Sequence, residues 1–457
     1  MTAPRPIIIV TGANSGVGFG ICHRLLVQLS QKTPPDAQPQ FKSLFPGRTP
    51  QNTAPTETYD GLTLIMACRS HKRAEKARTK LLKLLDKHIE KEKARPDYDG
   101  HAERFKQNLE INFHYVDMSI MSTVFEFCDE LSHRYPYISH LICNAGTAFW
   151  SGVDKLIAIY AILTKGLVWA ITLPPFKLQQ TGRMSTDGLG ATWQANVFGH
   201  YAMYRYLQPM FASYARQYGQ PARMIWMSSL EGQPCWYDHD DWQLVKTDHS
   251  YEGTKYQIDL ISSRLAQQSR EPNGEGDIVQ HYTVHPGIAH SNMTSGMVYF
   301  FFDMCKVLLF YVARWIGSPN HTITAYEAAA SATHIALVSL LAIPSSLLAF
   351  SHRRHKTQSS SLWDDSLPTM NLYTGGLQSA KKSRDAEEMG VYAPLKFSSE
   401  TDRCGHDRVG AMPVLEWEEH QKEASYLVLR CESLYQNFLT LQKSKRDKDN
   451  GNPSSDL

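Results

Sequence analysis

Ile7-Ile8-Ile9-Val10-Thr11-Gly12-Ala13-Asn14-Ser15-Gly16-Val17-Gly18 is the stretch that decides how this chain folds. Its first four residues form an apolar run of strand length and composition. The glycines then let the backbone turn tightly, and residues 19 to 29 carry a helical pattern. Strand, glycine-rich turn and helix in that order bring backbone close to a pyrophosphate, whose charge rests at the positive end of the helix. Gly12, Asn14, Ser15, Gly16, Val17 and Gly18 are therefore candidate ligands of a dinucleotide. A glycine loop by itself is common, so the elements after it must carry the assignment.

Further strand-like runs lie at 62 to 67, 111 to 116, 138 to 143, 223 to 227 and 278 to 284, with helix-length stretches between them. That alternation predicts an α/β fold, a single Rossmann-like, doubly wound parallel sheet. The second run ends in Ala67-Cys68-Arg69-Ser70. An acid at this point would hold ribose hydroxyls, whereas Arg69 favours a 2′-phosphate and hence NADP(H). Asp117, closing the third run, is placed to receive an adenine amino group, and Asn144 opens Asn144-Ala145-Gly146 after the fourth.

Tyr251 and Lys255 stand four apart in Tyr251-Glu252-Gly253-Thr254-Lys255. On a helix they share a face, one turn from each other. A free phenol titrates near pH ~10; a neighbouring ammonium is expected to favour the phenolate and draw Tyr251 toward the working range of a proton donor.

Taken together and in this order, Thr-Gly-x-x-x-Gly-x-Gly at 11 to 18, Asn-Ala-Gly at 144 to 146, Ser228-Ser229, Tyr-x-x-x-Lys and Pro286-Gly287 resemble the short-chain dehydrogenase/reductase family over roughly residues 5 to 295. The resemblance implies that Tyr251 protonates a carbonyl oxygen while a nicotinamide delivers hydride, and that Lys255 also holds the nicotinamide ribose. It implies that Ser229 binds the carbonyl and that Asn196, in Asn196-Val197-Phe198-Gly199-His200, anchors a water relay to the lysine. Pro286, Gly287 and Ser291 complete the implied cofactor set. The chain departs from the family in one respect: Ser229 and Tyr251 are 22 residues apart, where about a dozen is usual. The long spacing leaves Ser228 or Ser229 open as the carbonyl-binding residue. Asp238, His239, Asp240 and Asp241 within this loop read as a solvated turn, so no metal is expected. His285 reads as a packing residue.

With 47 basic and 45 acidic residues in 457, nothing points to nucleic acid as a partner. Eight scattered cysteines, no Cys-x-x-Cys pair and no apparent signal peptide suggest a reducing compartment. The dehydrogenase-like domain is expected to occupy 1 to 350, with insertions at 31 to 60, 86 to 108, 153 to 180 and 296 to 317. The first two, rich in Pro, Gln and Thr or in Lys, Glu and Asp, read as exposed and mobile. The other two are apolar and follow the Asn-Ala-Gly and Pro-Gly motifs, so they should frame the substrate mouth. Leu156 to Leu173 is broken by one charge, Lys165. Around Met297 to Ile316, Asp303, Lys306 and Arg314 fall within about 80° of one another on a 3.6-residue repeat. Such a helix suits a membrane surface better than a crossing. Residues 351 to 457 read as a polar, partly disordered appendage with one helix near 415 to 442.

The long insertion leading into Thr186-Asp187-Gly188-Leu189, with the widened serine-to-tyrosine spacing, is similar to the fungal 3-keto-steroid reductases of ergosterol synthesis, relatives of the animal type-7 17β-hydroxysteroid dehydrogenases. This implies NADPH-dependent reduction of the 3-ketone of C-4-demethylated sterols such as zymosterone. It also implies peripheral or monotopic attachment to the endoplasmic reticulum membrane and lipid droplets, facing the cytoplasm. The other C-4 demethylation enzymes and the oxidosqualene cyclase are the implied partners. Two alternatives stay open: another membrane lipid carbonyl (a 17-ketosteroid, a retinal-like aldehyde, 3-ketosphinganine), or a non-catalytic scaffold for sterol enzymes. The intact Ser229, Tyr251 and Lys255 weigh against the scaffold.

Overall fold

The structure, a computed structural model, describes residues 5–40, 59–271, 274, 276–290, 300–344, 346–349 and 391–451. Each of the six apolar runs is a strand: β1 (Ile7–Thr11), β2 (Leu62–Cys68), β3 (Leu109–Tyr115), β4 (His140–Cys143), β7 (Ala222–Met227) and β8 (Val279–His285). β5 (Trp150–Val153) and β6 (Lys177–Gln179) form a separate antiparallel hairpin. β9 (Ser346–Ala349), β10 (Val391–Thr401) and β11 (Asp407–Pro413) complete the set. The main sheet runs β11-β10-β8-β7-β4-β1-β2-β3, with β9 paired to β10. It is parallel from β3 to β10, and β1 aligns Ile8 with Leu64 on one side and His140 on the other. The strand order reverses at β1, as in a doubly wound sheet.

The helices are α1 (Gly16–Leu29), α2 (His71–Lys93), α3 (His101–Gln107), α4 (Met121–Arg134), α5 (Lys155–Lys165), α6 (Leu167–Thr172), the short α7 (Ala191–Trp193), α8 (Gly199–Tyr218), α9 (Ser250–Gln268), α10 (Phe300–Ile316), α11 (Ala325–Ala328), α12 (Ala330–Leu337) and α13 (Trp417–Gly451). One sheet face is covered by side chains of α1, α2, α3 and α12, the other by α4, α8, α9 and α13.

The segment 86 to 108 is not a mobile insertion. Ala74, Ala77, Leu81, Leu85 and Ile89 recur at helical spacing and are all buried, so α2 runs on to Lys93, and α3 docks through Phe105. The charges that suggested exposure form the solvated face, with Lys93 reaching Glu103 and Lys106 reaching Asp86. Within 31 to 60, the described part is anchored by Asp36, buried against the Arg24 guanidinium at 2.6 Å; 41–58 lie outside the described residues.

A larger correction concerns the carboxyl-terminal region, which is part of the domain and not an appendage. β10 pairs in parallel with β8, aligning Lys396 with Thr283, and β11 pairs antiparallel with β10. Leu395, Phe397 and Val409 enter the core. α13 lays Ala424, Leu427, Val428, Cys431 and Tyr435 into the opposite core, alongside residues of α8 and α9. Residues 351–390 lie outside the described residues.

The apolar insertions also differ from a simple reading. Gly166, at φ +86°, divides the stretch 156 to 173 into α5 and α6. In α10, Arg314 is buried: it donates to His321 O and Thr322 O and pairs with Glu327 at 3.0 Å. It therefore does not join a polar helix face. Among the described residues no helix is long and apolar enough to cross a membrane. Asp241 is likewise buried, accepting the backbone N–H groups of Val245, Lys246 and Thr247, so that loop is internally held.

Candidate active site

At the switch point the glycine loop closes tightly. Gly12 N donates to Ala67 O at 2.8 Å, and Gly12 and Gly16 have φ of +68° and +52°. A Cβ on Gly18 would lie 2.4 Å from Gly12 O. Ser15 precedes α1 without capping it through its side chain, which leaves first-turn amides for an anion. Val17 packs its side chain against the core. Asn14, directly before Ser15 in the same turn, is half-buried. Asn144 is a brace: its Nδ2 donates to Thr11 O at 2.9 Å and its amide to Thr11 Oγ1 at 2.9 Å. It joins the carboxyl ends of β1 and β4.

Arg69 and Asp117 meet at the ends of β2 and β3, Nη1 to Oδ2 3.7 Å, with the arginine side chain 59% exposed. The other Asp117 oxygen accepts from the Ser119 amide and hydroxyl. A loop whose glycines leave no space for Cβ atoms and helix amides without a cap fit the pyrophosphate of a nicotinamide dinucleotide.

Tyr251 and Lys255 lie in the first turns of α9, both buried. The Ser229 side chain lies beside the Tyr251 phenol, near enough to act on its proton. Ser228 instead turns inward, donating from Oγ to Lys255 O at 3.1 Å; the geometry thus places Ser229 beside the phenol. Lys255 Nζ donates to Met227 O at 2.7 Å and stands 5.5 Å from the Tyr251 ring centroid.

The electrostatics correct the expectation of a lowered phenol pKa. Burial raises Tyr251 far above its usual range, the carboxylates of Glu231 and Glu252 add to this, and the Ser229 side chain opposes only in part. The phenol is held protonated, the form a proton donor needs. Lys255 moves the other way, down to about 8, because burial outweighs the nearby Asp259 and Cys143.

Asn196 sits in a π-helical turn, Gln194–Phe198, just ahead of α8. Its Oδ1 accepts the Thr147 amide at 2.7 Å and its Nδ2 donates to Thr254 Oγ1 at 3.0 Å, one residue before Lys255. Pro286 and Gly287 follow β8, where Pro286 O accepts from Thr322. Gly287 has φ +69°, and a Cβ there would meet Asn320 O at 2.5 Å, so packing of the chain itself requires this glycine. His285 is fully buried and held neutral. Ser291 lies outside the described residues.

Several residues of the site were not anticipated. Gln179, on β6, accepts at Oε1 from the Tyr251 amide (2.7 Å) and the Ser250 hydroxyl (2.9 Å), fixing the start of α9. Trp150 on β5 sets its ring 5.8 Å from that of Tyr251. Lys177 grips both oxygens of Glu231 at 2.7 and 2.9 Å and covers the Trp150 ring. Glu231 and Glu252 lie inside the serine and tyrosine motifs and were visible there. Gln179 and Trp150 belong to a long insertion without a motif, and only folding brings them to the tyrosine.

A doubly wound parallel sheet with a glycine loop at its switch point, and a serine, a tyrosine and a lysine gathered beyond the strand ends, is the arrangement of a short-chain dehydrogenase/reductase. No family model matches the chain. The 3-keto-steroid reductase of Kluyveromyces lactis is 30% identical over 330 residues, covering 72% of this chain and 80% of its own length. The 3-keto-steroid reductase ERG27 of Saccharomyces cerevisiae is 28% identical over 333 residues, with coverage of 72% and 80%. Among solved structures, the Pseudomonas aeruginosa RhlG/NADP active-site complex aligns over 73% of this chain and 90% of that one, at 15% identity and TM-score 0.43. Salutaridine reductase from Papaver somniferum aligns over 73% and 96%, at 16% identity and TM-score 0.42. This chain belongs to the 3-keto-steroid reductase family.

Proposed function

We propose that the protein reduces the 3-keto group of a C-4-demethylated sterol to the 3β-alcohol, using NADPH, as a step of ergosterol synthesis. The observation that carries this reading is the Tyr251 side chain, buried beside Ser229 with Lys255 one turn on, in a chain of this family.

Gly12, Gly16 and Gly18 with the amides at the start of α1 would hold the pyrophosphate, and Arg69 the 2′-phosphate that separates NADPH from NADH. When bound, the reduced nicotinamide supplies the hydride. Tyr251 gives its proton to the carbonyl oxygen, and Ser229, already beside the phenol, steadies that oxygen by a second hydrogen bond. Lys255 keeps a positive charge near the ring, which favours the phenolate left after transfer. Asn196 ties Thr147 to Thr254, the residue before Lys255, and so would fix where a proton can be resupplied.

A membrane surface is the proposed source of the substrate, at the endoplasmic reticulum and lipid droplets, with the catalytic face toward the cytoplasm. α5 exposes Leu156, Ile159, Tyr160 and Leu163, and α10 exposes Met304, Leu308, Tyr311 and Trp315. On α10 these recur at four, three and four residues, one face of a helix. Apolar faces of this kind, following the carboxyl ends of β4 and β8, suit the interfacial region of a bilayer.

Zymosterone presented in phospholipid vesicles with NADPH tests the reading. The expected result is NADPH oxidation that falls by about 10²-fold or more in Tyr251→Phe while cofactor binding persists. Undiminished turnover in that variant removes Tyr251 as the acid; no turnover by the parent protein removes the substrate. Leu308→Asp combined with Trp315→Asp is expected to raise KM for vesicle-borne sterol without lowering kcat, and an unchanged KM argues against docking through α10.

A further inference from the structure

A second lysine lies behind the reacting residues and has no part in the chemistry described so far. Lys396 comes from β10, 141 positions after Lys255 in the chain. Its side chain is 2% exposed and pairs at 2.6 Å with Asp259, itself 1% exposed. The same Nζ donates to Ser229 O at 3.2 Å. Asp259 is one turn beyond Lys255 on α9, so Tyr251, Lys255 and Asp259 follow one another at i, i+4 and i+8 along one face.

The charge inventory around Lys255 is short. Tyr251 and Asp259 face it from its own helix, Cys143 from the end of β4, His200 from α8 and Lys396 from β10. Burial keeps the Cys143 thiol protonated and His200 neutral, and His285 beside Lys396 is neutral as well. Two ammonium groups and the Asp259 carboxylate are what remain. A buried ion pair is a poor choice for simply gluing a strand to a helix, because desolvation offsets most of its attraction and an apolar pair would serve as well. What an apolar pair could not supply is the bond to Ser229 O and a charge beside Lys255.

We propose that Lys396 is a positioning residue of the reductase site: its ammonium ties down the backbone of Ser229 and, by pairing with Asp259, balances the carboxylate that Lys255 faces. The inference rests on the reading of Ser229, Tyr251 and Lys255 as the reductase site. It makes the carboxyl-terminal strand a working part of catalysis.

The test uses the full chain carrying Lys396→Met, and the pair Lys396→Met with Asp259→Asn, which removes both members of the ion pair together should the single variant fold poorly. In both, kcat is expected to fall about tenfold or more, while KM and NADPH affinity stay within about threefold, the pattern of a lost transition-state interaction. Burial draws Lys255 down to about 8, so an alkaline limb of the rate profile set by Lys255 is expected to move upward in Lys396→Met, where a repelling charge is gone and Asp259 remains. It is expected to return toward its original position in the double variant, where both charges are gone. A kcat within twofold of the parent in the folded double variant overturns the proposal. So does a fall in kcat with an unmoved limb in Lys396→Met. A lysine-specific ¹⁵N NMR titration of Lys255 reads the same displacement without substrate. A protein that turns over no 3-ketosterol therefore defeats the proposed activity while leaving Lys396 under test.

Discussion

The two edges of the sheet are built differently. Toward β3, each new strand lies beside the one before it in that part of the chain: β1 beside β2, β2 beside β3. Toward β11, the chain leaves β8 at His285 and returns to pair with it only at Lys396. The first edge carries residues proposed to hold the cofactor, Gly12 to Gly18, Arg69 and Asp117. Strands β10 and β11 of the second carry none of the expected ligands, yet Lys396 reaches from β10 to Ser229. A region can thus be remote from every motif and still bear on the site, because the sheet transmits position laterally from strand to strand.

Ending the chain at residue 390 should have the largest effect. It removes β10, β11 and α13, and with them Leu395, Phe397, Leu427 and Val428, each buried. At roughly 1.5 to 3 kcal/mol per large apolar side chain, the loss is comparable with a whole domain's net stability of about 5 to 15 kcal/mol. The expected outcome is no cooperative thermal unfolding transition. A truncated protein that melts cooperatively would return this region to the status of an appendage.

Gly18→Ala should act on the other edge alone. The new Cβ meets Gly12 O, and overpacking of this kind costs about 1 to 3 kcal/mol. NADPH affinity by calorimetry should fall by about tenfold or more with secondary structure retained. Unchanged affinity would remove the loop from the cofactor site. Arg69→Ala should be the mildest. The side chain is largely exposed, so the loss is expected at the low end of the ~1.5 to 3 kcal/mol of a charge-assisted hydrogen bond. NADPH should weaken about tenfold and NADH scarcely at all; equal weakening would take Arg69 away from the 2′-phosphate.

How legible each part was follows from how local its cause is. Strand runs such as Ile7 to Val10 and the glycines after them are dictated by neighbours in the chain, so the first edge could be read directly. So could Tyr251 with Lys255, since one helical turn brings them together. The stretch 86 to 108 was misread because its charges suggest a loop until the buried positions of α2 are counted at intervals of three and four. Residues 391 to 413 were missed because Lys396, Ser398 and Glu400 look polar; Lys396 finds its partner Asp259 on α9, while Glu400 is satisfied by Ser398 and by Arg408 across the β10–β11 pair.

By itself, the sequence determined the parallel α/β sheet, the glycine loop, the reacting pair and the resemblance to the 3-keto-steroid reductases, all consequences of contacts within a few residues. Only the tertiary structure decided that Ser229 and not Ser228 meets the phenol, that burial holds Tyr251 protonated and draws Lys255 down, and that Gln179, Trp150 and Lys396 belong to the site. Solvent exclusion and the meeting of distant segments depend on the whole packed chain, and no local pattern of residues records them.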